Sequence, residues 1–178
     1  MKLRRRPRRA LLVVHVTASA SWLGVTLGLL TLAVTATATG AGPAVEASAR
    51  AMKLFADWLV IPVALLTLVS GLLLSLGTPW GLARHRWVYI KFWLTLVTTA
   101  ASVFALRPGV DDAVVTLSAG EALTRPTDLL AGPIVSLTSY VFMTAISVLK
   151  PWGLTRRGRK HRASARKAVD ATGLRPTA

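Results

Sequence analysis

The order of apolar and polar positions divides this chain into four long apolar runs, residues 10–38, 58–76, 87–106 and 129–149, separated by short polar breaks. A helix rises 1.5 Å per residue, so about 20 apolar residues cross the hydrocarbon core of a bilayer, and each run is about that long or longer. The pattern predicts an all-α fold: a transmembrane antiparallel four-helix bundle at residues 10–153, with tails at 1–9 and 154–178. The breaks are expected to act as follows. Gly40-Ala41-Gly42-Pro43 ends the first helix. The proline-free stretch 44–57 continues into the second span as a helical extension outside the bilayer. Pro62 removes an amide donor and bends that span. Arg107-Pro108-Gly109 stops the third. The helix-compatible loop 110–128 ends in Arg125-Pro126-Thr127-Asp128, where Thr127 or Asp128 can cap the fourth. The first run is read as an uncleaved anchor, because its apolar length is nearly twice that of a signal-peptide core. The stretch 166–178, small-residue-rich and basic, is expected to be disordered.

Charge adds an orientation. All but four of the 22 basic residues lie before the first run, around the break between the second and third, or after the fourth. The exceptions, Arg50, Lys53, Arg107 and Arg125, share the other two breaks with six of the seven acids: Glu46, Asp57, Asp111, Asp112, Glu121 and Asp128. Lysine and arginine beside span ends resist translocation, which predicts both termini and the middle loop in the cytoplasm, in the cell's inner (plasma) membrane. A net charge of +15 also raises nucleic acid as a partner, but no aromatic-basic interleaving or reader motif accompanies it, and none is expected. The expected partners are the bilayer and its anionic headgroups, which attract basic tails by about 1 kcal/mol per side chain. The chain has no cysteine, which excludes disulfides, thiolate metal sites and cysteine nucleophiles.

A six-residue motif occurs twice: Pro79-Trp80-Gly81-Leu82-Ala83-Arg84 after the second run and Pro151-Trp152-Gly153-Leu154-Thr155-Arg156 after the fourth. Proline and glycine stop a helix, tryptophan sits at the membrane interface and arginine meets headgroups, so Trp80, Arg84, Trp152 and Arg156 are candidate anchors. The repeat is compatible with two duplicated helical hairpins or with two independent ways of ending a span.

Candidate chemistry is sparse. On the first span His15, Ser19, Trp22 and Thr26 share a face, and Ala20, Gly24 and Gly28 form a small-residue row suited to close helix packing or to a homo-oligomer seam. Lys91, Thr95, Thr98 and Ser102 make a stripe on the third span, and Ser136, Tyr140, Thr144 and Ser147 one on the fourth. Lipid offers such groups no partner, so the stripes are expected to face the interior. His15 and Lys91 are the ionisable groups inside spans, and such groups are functional candidates. The bland alternatives are a hydrogen-bonded core imidazole and a lysine whose stem snorkels to the headgroups. His85 and His161 read as surface residues. No carboxylate pair lies in a span, and there is no phosphate loop, HExxH or GxSxG, so the basis for most enzyme classes is missing.

The blocks His15-Val16-Thr17-Ala18-Ser19-Ala20-Ser21-Trp22-Leu23-Gly24, Leu76-Gly77-Thr78-Pro79-Trp80-Gly81-Leu82, Trp87-Val88-Tyr89-Ile90-Lys91 and Lys150-Pro151-Trp152-Gly153-Leu154-Thr155 resemble a family of small predicted integral membrane proteins of unknown function, common in actinobacteria. The resemblance covers residues 10–157 and implies four spans without an assigned activity. More distantly, the chain is similar to the copper-resistance D type and to the haem-binding membrane type of protoporphyrinogen oxidase. Those groups have a histidine in span one ahead of a Trp/Gly pair and a lysine early in a later span, positions that His15 and Lys91 match. That similarity implies haem or copper at His15, although the further span histidines of those proteins have no counterpart here. The expectation is a non-enzymatic bundle, accessory or transport-related. The alternatives are a haem- or copper-handling protein using His15 and a scaffold that lies on anionic lipid through its basic tails.

Overall fold

The structure is a computed structural model that describes residues 4–39, 42–77, 85–149, 153–156, 158–160 and 163–164. It is all-α. Four helical rods are long and apolar enough to cross a membrane, the architecture of a multi-pass membrane protein: Arg5–Thr39, Pro43–Gly77, Arg86–Ser118 and Asp128–Leu149. Helix α1 is the first rod. The second comprises α2 (Pro43–Phe55), a π-turn (Ala56–Val60) and α3 (Ile61–Gly77). The third comprises α4 (Arg86–Ala101), a π-turn (Ser102–Leu106) and α5 (Arg107–Ser118), and α6 is the fourth (Asp128–Leu149). In the spanning part α1 packs on α3 and α6, and α4 packs on the same two helices, so the four stand in a square. Large apolar side chains remain exposed on every rod, among them Val13 and Val16, Leu66 and Val69, Trp93 and Val97, and Val141 and Phe142. A belt of this extent suits contact with lipid.

The two prolines explain the two π-turns. Pro62 and Pro108 each stand two residues beyond a π-turn. A proline supplies no amide and its ring crowds the carbonyl four residues back, so the helix widens by one residue ahead of it. At the second site the Arg107 amide bonds the Ser102 carbonyl, five residues back. Arg107-Pro108-Gly109 therefore does not stop the third helix, as the sequence suggested. The wide turn absorbs the missing donor and the helix runs on to Ser118. The expected extension of the second span over 44–57 is present as α2. At the far end of α5, Gly120 takes φ +78°, a left-handed conformation suited to glycine. Its amide bonds the Leu117 carbonyl and closes the helix.

About 20 residues of each rod fill the hydrocarbon core. Counted from the basic end, that places the opposite boundary near Asp57 on the second rod and Arg107 on the third, and these two side chains form an ion pair at 2.7 Å. Lys53 also pairs with Asp57, at 3.1 Å, and with Asp111. The network ties α2, the first π-turn and α5 together. Beyond it the end of α1, α2 and α5 form a cap around Leu29, Ala33, Ala36, Val45, Met52, Val60, Val110, Ala113 and Leu129. A second, smaller core of Trp22, Ala64, Tyr140 and Met143 lies deeper in the spanning region. At the basic end the segment that follows the first copy of the repeated motif meets the second copy: His85 and Leu154 form an isolated antiparallel bridge, and the Arg86 amide bonds the Gly153 carbonyl at 3.5 Å. The first copy of the motif, Lys150–Trp152 and the stretch 165–178 lie outside the described residues.

Candidate functional site

Toward the basic end the helices part around a cavity of about 410 Å³. Arg8 and His15 of α1, Thr67 of α3, Lys91 and Thr95 of α4 and Ser147 of α6 reach it, and the remaining lining is mainly aliphatic and aromatic. His15 of the first stripe, Lys91 and Thr95 of the second and Ser147 of the α6 stripe thus meet here.

His15 is fixed by its neighbours on α3. Its Nδ1 lies 3.0 Å from the Ser70 hydroxyl, and that hydroxyl is 2.6 Å from the Leu66 carbonyl. A serine has one proton to donate. With it given to Leu66, the Ser70 oxygen accepts from Nδ1–H in the tautomer that carries its proton there. The ring rests on Gly71: a Cβ there would stand 2.9 Å from His15 Cε1, so the ring and the α3 backbone come this close only because position 71 has no side chain. Ser19, expected beside His15 as a polar partner, instead donates to the His15 carbonyl at 2.8 Å on its own helix.

Lys91 joins α4 to α6. Its Nζ donates to Ser147 Oγ at 2.6 Å, and Ser147 donates in turn to the Met143 carbonyl at 2.7 Å. The Thr95 hydroxyl donates to the Lys91 carbonyl at 2.8 Å and has Met143 Sδ at 3.3 Å. Lys91 lies five residues along α4, about 7 Å from its start at 1.5 Å per residue. Its hydrogen-bond partner is a neutral hydroxyl. The ion pairs among the described residues involve Arg50, Lys53 and Arg107 and neither Lys91 nor Arg8. Six of the seven acids belong to the opposite end of the bundle, and Asp170 lies outside the described residues.

The smaller core lies farther from the basic end than Lys91 and His15. Trp22 and Tyr140 meet edge to face with ring centroids 5.0 Å apart, and Trp22 is 1% exposed. Thr67, about 15 Å from the end of α3 at 1.5 Å per residue, is buried, and its hydroxyl has no hydrogen-bond partner among the described residues. The cavity thus lies in the half of the spanning region nearer the basic end.

The other candidate residues lie elsewhere. Ala20 and Gly24 are exposed, and nothing in the chain comes within 4 Å of a Cβ built at Gly24. Gly28 is covered by the Phe55 ring, 2.9 Å from a Cβ built there. Arg156 is exposed, while Trp80, Arg84 and Trp152 lie outside the described residues. Thr98, Thr99 and Ser102 are buried but donate to carbonyls of their own helix, as threonine and serine in spans commonly do. The sequence reading missed Thr67, Ser70 and Gly71. Their signal is a polar and small insertion, Thr67-Leu68-Val69-Ser70-Gly71, in an apolar run that Ser75 interrupts again four residues on.

As a donor set, the pocket offers one imidazole, two cations and the four hydroxyls of Thr67, Ser75, Thr95 and Ser147. A copper ion would find one nitrogen ligand at His15, and among the described residues no three His, Asp or Glu side chains converge. Haem would find one axial nitrogen at His15 and, in Lys91 and Arg8, partners for its carboxylates. A second cavity, about 650 Å³, opens at the acidic end beside Asp112, Arg125 and Asp128. It holds no ionisable group within the spanning region. No protein-family model, curated protein or solved structure matches this chain.

Proposed function

We propose that this chain is a non-enzymatic protein of the inner (plasma) membrane, accessory or transport-related, with both termini in the cytoplasm, and that its working part is the pocket between His15 and Lys91. The observation that carries this reading is the convergence of the two intramembrane ionisable side chains on one cavity of about 410 Å³, within the usual size range of small-molecule sites. The pocket has hydrogen-bond donors and a mostly apolar wall but no carboxylate to act as acid or base, which supports binding rather than catalysis. Its place in the half of the spanning region nearer the basic end supports capture from one leaflet over free passage across the membrane.

The experiment is a comparison of thermal unfolding before and after exhaustive detergent exchange. A ligand at about 100 times its dissociation constant stabilises the folded state by about 2.7 kcal/mol. The protein as extracted should unfold at a higher temperature than the exchanged protein, and the difference should vanish in Gly71→Leu, whose side chain displaces His15 and fills the pocket. Equal unfolding temperatures for the extracted and exchanged wild-type protein would contradict the reading. The second reading, haem on His15, is favoured by the imidazole in the wall of the pocket beside Lys91 and Arg8. A Soret band that disappears in His15→Ala would support it, and a colourless preparation would reject it.

A further inference from the structure

We infer that the pocket holds an anionic lipid, its charged head between Lys91 and Arg8 and one hydrocarbon chain running inward toward Thr67. This rests on the reading of the pocket as a ligand site and names the chemical class of the ligand.

The first argument is a charge account. Lys91 is a cation about 7 Å inside its span by helix rise, and the described chain gives it a neutral partner, Ser147. A cation drawn out of water is costly unless an anion or several hydrogen-bond acceptors meet it. Six acids stand at the other end of the bundle. The counter-ion therefore comes from outside the described helices, and the membrane is its nearest source. Arg8, one to two turns nearer the basic end on α1, reaches the same pocket and adds a second positive charge at its mouth. An ammonium and a guanidinium suit a phosphate or a carboxylate.

The second argument is polarity along the depth. Besides the two cations and the hydroxyls of Thr67, Ser75, Thr95 and Ser147, the wall includes Leu12, Val16, Leu68, Leu72 and Phe92, surface that favours a hydrocarbon chain over a hydrated small anion. Thr67 marks the inner limit of this wall on α3. A free inorganic anion would meet the cations and leave the apolar wall bare. A neutral lipid would fill the wall and leave Lys91 without a counter-ion. An amphiphile with an anionic head satisfies both.

The test is native mass spectrometry of the full chain, released from nanodiscs of phosphatidylethanolamine with a minor share of phosphatidylglycerol, and in a parallel arm with oleate. Wild type and Lys91→Arg should retain one anionic lipid. Lys91→Gln should retain about tenfold less, the loss expected for one charge-assisted contact. Leu72→Trp, which fills the apolar wall and leaves both cations in place, should lose it as well. Arg50→Gln, at the acidic end and away from the pocket, should retain as much as wild type. Circular dichroism establishes that each variant is folded. Lys91-dependent retention of phosphatidylglycerol identifies a phosphate head, and Lys91-dependent retention of oleate a carboxylate head; either supports the inference. Equal retention of the two phospholipids, or anionic lipid that persists in both Lys91→Gln and Leu72→Trp, overturns it. A water-soluble molecule of another mass lost in Lys91→Gln also overturns it but leaves the pocket a ligand site. Wild type without any bound mass in every arm removes both readings.

Discussion

At the scale of single residues, two glycines on neighbouring helices make opposite predictions. A Cβ at position 71 meets His15 Cε1 at 2.9 Å, whereas one at position 24 meets nothing. Gly71→Ala must push the imidazole off Ser70, at a cost of about 1–3 kcal/mol for overpacking, while Gly24→Ala should lie within about 0.5 kcal/mol of wild type. Unfolding in detergent measures both. Lys91 gives a prediction of the other sign. Without lipid its charge is buried against one hydroxyl, so Lys91→Met should leave the lipid-free protein as stable as wild type or about 1 kcal/mol more stable. A loss of several kcal/mol in the lipid-free state would mean that the lysine serves the fold itself. His15 and Lys91 were legible in the sequence because an ionisable group interrupts an apolar run visibly. Ser70 and Gly71 were not, because their importance comes from the register between α1 and α3, which the periodicity of either helix leaves open.

At the scale of elements, the prolines, the π-turns and the ion pairs form one device. Pro62 and Pro108 widen two adjacent helices near the same membrane boundary, and Asp57 and Arg107, beside those turns, pair across the gap. The hydrogen bond from Lys53 holds the Asp57 carboxyl below its ordinary range. Burial pulls the other way and Arg107 adds to the lowering. A depressed folded-state pKa contributes stability that is complete above the ordinary carboxylate value and fades as pH falls through the folded-state value. The Lys53 ammonium is held above its ordinary range by Asp111 and then Asp57, so its contribution is complete below the ordinary lysine value and fades as pH rises through the folded-state one. As far as this network governs it, the unfolding temperature should be flat from about pH 5 to about pH 10 and decline on either side. Asp57→Asn should remove the acid decline attributable to this carboxyl and cost about 1 kcal/mol or less at neutral pH, since these groups are partly exposed and screened. The existence of four helices was plain from run length. That the third continues past Arg107-Pro108-Gly109 was not, because a proline and a glycine read locally as a stop, and the contact of α5 with α2 that carries the helix onward is long-range.

At the scale of the whole molecule, the separation of charge and the placement of the two cores agree. The acidic end carries a helical cap over its own apolar core, and the basic end carries the pocket. The proposed function adds one condition, that the pocket opens to the cytoplasmic leaflet, where anionic lipid and the excess of lysine and arginine would meet. The absence of cysteine makes that condition directly measurable. Single cysteines placed at Ser118, at the end of α5, and at Arg156, after α6, should react with a membrane-impermeant maleimide on opposite sides of the membrane: Ser118→Cys in intact cells, Arg156→Cys only after permeabilisation. Labelling of Arg156→Cys in intact cells, or the same accessibility at both positions, would contradict the account.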